Sequence, residues 1–239
     1  MIPHLNKDVA PINEVFFSYQ GEGIYAGIPQ IFVRFAGCNL KCNYCDTPKS
    51  LKISSYSKHF TTHALYEYIV DIYNQNKDKF YKQTPSVSFT GGEPLLYADF
   101  ILELKKKYLK NKFSVYMETN GSLPQQINKI YKYCDVVSMD IKFQSACKKD
   151  LFNEHKKFLD VCKNKVFVKT VITKDTREKE FVKAINIISK VSKKIPLVIQ
   201  PASFDNVTNQ KVLDFYSVAT LKIKDVRILP QLHKLWKIR

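Results

Sequence analysis

The chain has 239 residues, 45% of them hydrophobic and 25% charged, which is enough apolar mass for one catalytic domain spanning 1–239. No run reaches the roughly 18 consecutive apolar residues of a membrane helix, and Met1-Ile2-Pro3-His4 lacks a secretion signal's basic-then-apolar start, so a cytoplasmic protein with no membrane partner is expected. The net charge of +16 comes from lysines spread along helical faces, without an Arg-rich arm, RNA-binding aromatic motif or zinc finger, so no direct nucleic-acid partner is expected.

In chain order, short β-branched runs predict strands at 31–35, 87–90, 114–118, 136–141, 166–172, 197–200 and 226–229. Amphipathic stretches between them predict helices at 62–76, 95–109, 124–133, 151–162, 178–191 and 209–221, and 48–60 reads as irregular. In the 95–109 stretch Phe100, Leu104 and Tyr108 share one face while Asp99, Glu103, Lys106 and Lys110 take the other, as a helix lying over a sheet requires. Right-handed crossovers then make the strands parallel and the fold class α/β. In such folds the carboxyl ends of the strands form the active face. The polar segments follow the strands: a cysteine loop after the first, Gly91-Gly92-Glu93-Pro94 after the second, Asn120-Gly121 after the third, Lys142 after the fourth, Pro201 after the sixth and Pro230-Gln231-Leu232-His233 after the last. Gly/Pro-rich turns follow strands in any protein, which accounts for any one of these loops but not for the cysteines.

Cys38, Cys42 and Cys45 stand at C-x3-C-x2-C spacing. Three thiolates hold three irons of a [4Fe–4S] cube and leave the fourth open to a cofactor. Structural zinc asks for a fourth ligand, and His59 and His63 are reachable only through a loop. Cys134, Cys147 and Cys162 are widely separated and read as small buried hydrophobes. Arg34 interrupts the apolar strand residues Ile31, Phe32, Val33 and Phe35, and is either directed at a buried anion or part of a salt bridge. The alternation of Ser138, Asp140 and Lys142 marks either a lined site or a solvated strand face.

The cysteine spacing, Tyr44 just before the third cysteine, and Gly91-Gly92-Glu93-Pro94 after a strand together resemble the radical S-adenosylmethionine superfamily. Within it, Ser18-Tyr19-Gln20-Gly21-Glu22-Gly23, Arg34-Phe35, Asp46-Thr47, Thr90, 118–121, 138–142 and Pro230-Gln231-Leu232-His233-Lys234 resemble the 7-carboxy-7-deazaguanine synthase family, from about Val15 to Lys234. The resemblance implies a partial (β/α)6-type TIM-like barrel and a lyase. Its reaction is conversion of 6-carboxy-5,6,7,8-tetrahydropterin to 7-carboxy-7-deazaguanine with loss of ammonia, feeding queuosine or archaeosine biosynthesis. A radical takes the hydrogen at C6, and after the ring rearranges a hydrogen returns from 5′-deoxyadenosine, so S-adenosylmethionine is regenerated. The implied cofactors are a [4Fe–4S] cluster on Cys38, Cys42 and Cys45, S-adenosylmethionine, and Mg²⁺ on Thr47. The implied cofactor contacts are Tyr44, Cys45, Asp46, Gly92, Glu93, Asn120, Ser138, Asp140, Lys142 and Gln200. The implied substrate contacts are Tyr19, Gln20, Gly21, Glu22, Arg34, Thr90, Pro230 and Gln231, with Glu118, Lys142 and His233 as catalytic groups. From spacing alone Thr47 reads first as a loop cap, and His233 equally as a surface histidine. Implied partners are the small-molecule pterin, a flavodoxin or ferredoxin reductant, and a second copy in a homodimer. A glycyl-radical activase shares the cysteine spacing and Gly91-Gly92-Glu93-Pro94 but does not explain Gln20 to Gly23 or Pro230 to His233; a radical enzyme acting directly on tRNA is a second alternative, to which the +16 charge points.

Overall fold

The computed structural model describes residues 8–81, 83–203 and 205–238. Among them are nine strands: β1 (Val9–Tyr19), β2 (Pro29–Phe35), β3 (Lys58–Thr61), β4 (Ser86–Gly91), β5 (Ser114–Thr119), β6 (Val136–Asp140), β7 (Val166–Ile172), β8 (Leu197–Pro201) and β9 (Val226–Ile228). They form one sheet in the order β3-β1-β2-β4-β5-β6-β7-β8-β9, with β2 and β4 to β9 all parallel. The seven expected strands are present, and the three-residue β9 takes the parallel run one strand beyond a six-unit barrel. The partial barrel is borne out.

Two antiparallel strands on the β2 side, β1 and β3, were not expected. Pro11 in β1 argues against a strand with neighbours on both sides, because proline gives the ladder no N–H. A bulge accommodates it: Ile12 faces Phe35 and Glu14 faces Arg34, leaving Asn13 as the extra residue. Asn13 then binds the irregular return of the cysteine loop, donating to Ser50 Oγ (3.2 Å) and accepting from Ser57 Oγ (2.8 Å). Within 48–60, expected to be irregular, a short turn (Pro48–Ser50) precedes strand β3.

The strand alternation sets the layers. Val33, Phe35, Val87, Phe89, Val115, Met117, Val137, Met139, Val168 and Ile199 face outward into the main core, joined by Leu65, Ile69, Leu104, Ile127, Phe158, Phe181 and Phe215 from the surrounding helices. Helices Thr62–Gln75, Phe152–Cys162, Glu178–Val191 and Asn209–Thr220 fall where the apolar periodicity puts them. Thr61 and Thr208 cap two of them through their hydroxyls. The 95–109 stretch is less regular: a 3-10 turn (Pro94–Tyr97), a helix (Ala98–Leu104) and a π turn (Lys105–Leu109). Cys134, Cys147 and Cys162 are buried, as expected of small apolar side chains.

On the opposite, inward face, Tyr116, Phe167 and Val198 pack with Ile24, Tyr25, Val136 and Leu229 into an apolar floor, the Tyr25 and Tyr116 rings meeting edge-on at 5.8 Å. Two residues further along the same strands stand Glu118, Lys169, Gln200 and Ser138. The period of two that seals the floor therefore lifts polar groups to the carboxyl ends, where the loops converge.

Candidate active site

Above the floor lies a cavity of about 490 Å³, within the range of small-molecule sites. Of the residues to which the resemblance assigns a cofactor, substrate, catalytic or metal role, all line it except Glu93 and Pro230. Glu14, Phe16, Phe32, Lys169 and Val171 also line it and were not anticipated.

The cysteine loop leaves β2 and is fixed from below and from the side. Gly37 N–H donates to Ser50 O (2.9 Å), Cys38 N–H to Leu51 O (3.2 Å) and Asn43 N–H to Ala146 O (3.1 Å). Cys38, Cys42 and Cys45 are half-buried and face the cavity. Burial pushes the Cys38 thiol up to about 11 and the Cys42 thiol up to about 12. Among the described residues the donor trio lying within 4.8 Å of one another is Glu22, Asp46 and His233, not the three thiols, and sulfurs so spread suit a multi-iron cube better than one ion. His59 and His63 are exposed, and His63 pairs with Glu67 at 3.6 Å.

Gly92 crosses directly under this loop: a Cβ there would lie 2.0 Å from Gly37 O and 2.6 Å from Ser50 O. Glycine is required here by the neighbouring backbone. Glu93, beside it, is fully buried and turned away from the cavity; its carboxylate accepts from Leu95 N (3.0 Å), Thr119 Oγ1 (2.8 Å) and Asn120 N (2.8 Å). Burial pushes its carboxyl up to about 7 against the pull of those donors. Glu93 thus joins the β4 turn to the end of β5. Pro230 is exposed and outside the cavity.

On the cluster side, three cavity-lining polar atoms are buried without a hydrogen-bond partner: Tyr44 Oη, Asp140 Oδ1 and Gln200 Oε1. Buried polar groups are nearly always bonded, so these three fit a polar ligand rich in hydroxyls and amines, as the adenosine and methionine parts of S-adenosylmethionine are. Lys142 bridges the other Asp140 oxygen (2.7 Å) and the Tyr44 ring (4.9 Å). Burial works against its charge, but Asp140, Tyr44 and Cys42 outweigh that and hold the ammonium well above the usual lysine range. It is a fixed cation, not a free base. Asn120 donates to Asn39 Oδ1 (2.9 Å), and Ser138 lies at the level of Glu118 on the next strand.

On the opposite side the polar groups are bonded to one another. Gln20 is 3% exposed, donating to Gln30 Oε1 (3.1 Å) and Glu118 Oε1 (2.8 Å) and accepting from Glu22 N–H (3.0 Å), so its amide is engaged internally. Glu118 also accepts from Thr90 Oγ1 (2.7 Å) and Ser88 Oγ (3.4 Å). Glu22 accepts from Gln231 (2.6 Å) and Gln200 (3.2 Å) and pairs with Lys169. Burial alone would raise its carboxyl; the Lys169 ammonium and these donors, with the field of His233, hold it down to about 2. Gly21 has His233 against it, where a Cβ would lie 2.4 Å from Nδ1, and Gly21 O accepts from Leu232 N–H (2.8 Å). The C-terminal helix (Leu232–Trp236) is thereby latched to the Gln20-Gly21-Glu22 turn.

Arg34 makes the salt bridge. Its Nε meets Glu14 at 3.1 Å and its guanidinium lies 5.5 Å from the Phe16 ring centroid, while the side chain lines the cavity. Tyr19 lines the same side, edge-on to Phe17 at 5.6 Å. Thr47 begins a 3-10 turn, yet its hydroxyl makes no capping bond and lies 3.9 Å from Cys45 Sγ at the cavity wall. A hydroxyl beside the Asp46 carboxylate is an oxygen set that fits a hard cation retaining water.

The missed Lys169 carried the same signal as Arg34: a single cation between Val166, Phe167, Val168 and Val171, Ile172.

Residues 32–218 match the model of the radical SAM superfamily. Curated relatives include the 7-carboxy-7-deazaguanine synthase of Geobacter sulfurreducens, 33% identical over 96% of this chain and 98% of that protein, and that of Archaeoglobus fulgidus, 34% identical over 96% and 99%. Among solved structures, the crystal structure of QueE from Escherichia coli aligns with a TM-score of 0.61 over 94% of this chain and 95% of that one; at 20% identity the likeness shows the fold.

Proposed function

The chain belongs to the radical S-adenosylmethionine superfamily and, within it, to the 7-carboxy-7-deazaguanine synthase family, and from that premise we propose that it converts 6-carboxy-5,6,7,8-tetrahydropterin to 7-carboxy-7-deazaguanine and ammonia. One observation carries the reading to this chain's own residues: three thiols, three unpartnered buried polar atoms and a bonded carboxylate network line one cavity. Cys38, Cys42 and Cys45 would hold a [4Fe–4S] cluster, which together with S-adenosylmethionine would supply radical hydrogen abstraction from the substrate.

The chain's residues bind, orient and move protons around that chemistry. Tyr44, Asp140 and Gln200, with Asn120 and Ser138, receive the cofactor's donors. Lys142, kept cationic by Asp140, supplies fixed positive charge beside it. Arg34, Thr90 and Tyr19 receive the substrate side, Arg34 facing its carboxylate. Glu118, held by Gln20, Ser88 and Thr90, is the proton acceptor at the reacting ring. His233, seated on Gly21, delivers the proton to the departing nitrogen. Thr47 would hold Mg²⁺, which would supply a hard Lewis acid at the substrate's oxygens. The whole chain acts as one domain, works as a homodimer in the cytoplasm and takes electrons from a flavodoxin or ferredoxin.

The test is anaerobic turnover of reconstituted protein with S-adenosylmethionine, dithionite, Mg²⁺ and the pterin, read by mass spectrometry. Deazaguanine product that vanishes in Cys42→Ala is expected. Release of 5′-deoxyadenosine with no deazaguanine refutes the substrate assignment.

A further inference from the structure

Among the described residues, Lys169 is the one cation deep in the cavity wall that the proposed roles leave unused. It stands in β7 directly opposite Asp140 of β6, and its ammonium pairs with Glu22, 147 positions earlier in the chain, and with Asp140 Oδ2 at 3.5 Å. Its side chain is 13% exposed, those of Glu22 and Asp140 17% and 11%. Burying charge at this depth is costly unless each charge is paired. Here the four groups Glu22, Lys169, Asp140 and Lys142 alternate in sign and cancel.

Glu22 is fixed from several elements at once. Its Oε1 accepts from Gln200 in β8 and Gln231 near the C-terminus, and its Oε2 from Lys169 in β7. A carboxylate offers about four acceptor sites. Three are engaged within the protein and one remains for a ligand. The other charged groups around it are His233 from the C-terminal helix, Asp46 from the cysteine loop and, beyond Lys169, Asp140 and Glu118.

We propose that Lys169 is a positioning residue of the substrate site, holding Glu22 ionised and aimed so that its remaining acceptor site takes a ring N–H of the substrate's aminopyrimidinone edge. This rests on the pterin reading above. Without Lys169, Glu22 and Asp140 are left with Lys142 as their near ammonium, which already sits on Asp140. Glu22 then takes up a proton, presents a donor where an acceptor is needed, and meets the ring N–H as a mismatch. The same change removes the link between the Glu22 turn and Asp140, and so between the two sides of the cavity.

The experiment compares Lys169→Met, Lys169→Arg and Glu22→Gln in the reconstituted holoenzyme between about pH 5 and 8. It measures kcat and KM by turnover, pterin affinity by calorimetry without reductant, and S-adenosylmethionine binding by the change in the reduced cluster's electron paramagnetic resonance. Lys169→Met is expected to raise KM and weaken pterin binding about tenfold, close to 1.4 kcal/mol. The loss deepens toward acid pH as Glu22 protonates, kcat changes less, and the S-adenosylmethionine signature persists. Lys169→Arg restores most of the affinity. Glu22→Gln, nearly the same shape and unable to ionise, is as weak as Lys169→Met but flat with pH. A Lys169→Met enzyme with wild-type KM and pH profile, altered only in melting temperature, overturns the proposal, as does Glu22→Gln with wild-type affinity if the lysine variant does not fold. Wild-type protein that neither binds nor converts the pterin refutes the functional reading and this inference with it; wild-type turnover with an indifferent Lys169→Met sinks this inference alone.

Discussion

The two walls of the cavity are built differently. On the cluster side, Tyr44 Oη, Asp140 Oδ1 and Gln200 Oε1 are buried with no partner; across from them Gln20, Glu22, Thr90 and Glu118 are bonded to one another and to Gln30, Ser88, Lys169 and Gln231. One wall leaves buried polar atoms open inside the cavity. The other is already set, its acceptors aimed by the protein itself. Removing a group therefore has opposite consequences on the two sides: a bonded partner leaves an unsatisfied atom behind, whereas an orphan leaves none.

The largest effect expected is at the support both walls share. Gly92→Ala places a methyl 2.0 Å from Gly37 O, backbone that has no flexible end to move aside. Loss of iron on reconstitution and destabilisation of about 3 kcal/mol or more are expected, read by iron analysis and chemical denaturation. Wild-type cluster content in that variant would show that the loop is not held from below.

Next come the bonded groups. Thr90→Val keeps the shape but strips Glu118 Oε2 of its 2.7 Å donor, and Glu93→Gln turns an amide toward the Asn120 N–H. Each is expected to cost about 1–3 kcal/mol in denaturant melts.

The bonded wall also has a pH signature. The Glu22 carboxyl sits at about 2 in the fold against an ordinary 4.5, so its stabilising contribution is present above about 4.5 and is lost as pH falls through about 2. Acid titration of stability in wild type and Glu22→Gln should diverge over that window, with the glutamine variant flatter.

The smallest effect on stability belongs to the open wall. Tyr44→Phe removes a buried hydroxyl that feels the Lys142 ammonium but makes no close hydrogen bond to the protein, so stability should stay within about 0.5 kcal/mol. S-adenosylmethionine affinity should drop severalfold, as loss of one net hydrogen bond of about 1 kcal/mol implies. A destabilised Tyr44→Phe with unchanged cofactor affinity would erase the distinction between the walls.

How legible each wall was in the sequence follows the same division. The cluster side is local: Cys38 to Thr47 is one loop, and its chemistry is carried by spacing. The parallel strands were also legible, because strands with one face on the core and one in the lumen still show β-branched runs. The bonded wall is assembled from distant segments. Nothing near Glu22 announces Lys169, and nothing near Glu93 announces Thr119 and Asn120, the partners that make it a strut rather than a ligand contact. Gly21 and Gly92 were legible only as contacts implied by the resemblance; the protein atoms packed against them, His233 and Gly37 O, lie in distant segments or across the loop. β1 was hidden by Pro11, whose cost the Asn13 bulge removes.

The most direct test of the central claim is to follow one atom from wall to wall. With the pterin carrying deuterium at C6, under anaerobic turnover, the two walls must face each other across the reacting centre for deuterium to move between them. Deuterium recovered in the 5′ position of S-adenosylmethionine alongside 7-carboxy-7-deazaguanine is the predicted result. Unlabelled 5′-deoxyadenosine accumulating beside intact labelled pterin would contradict the account.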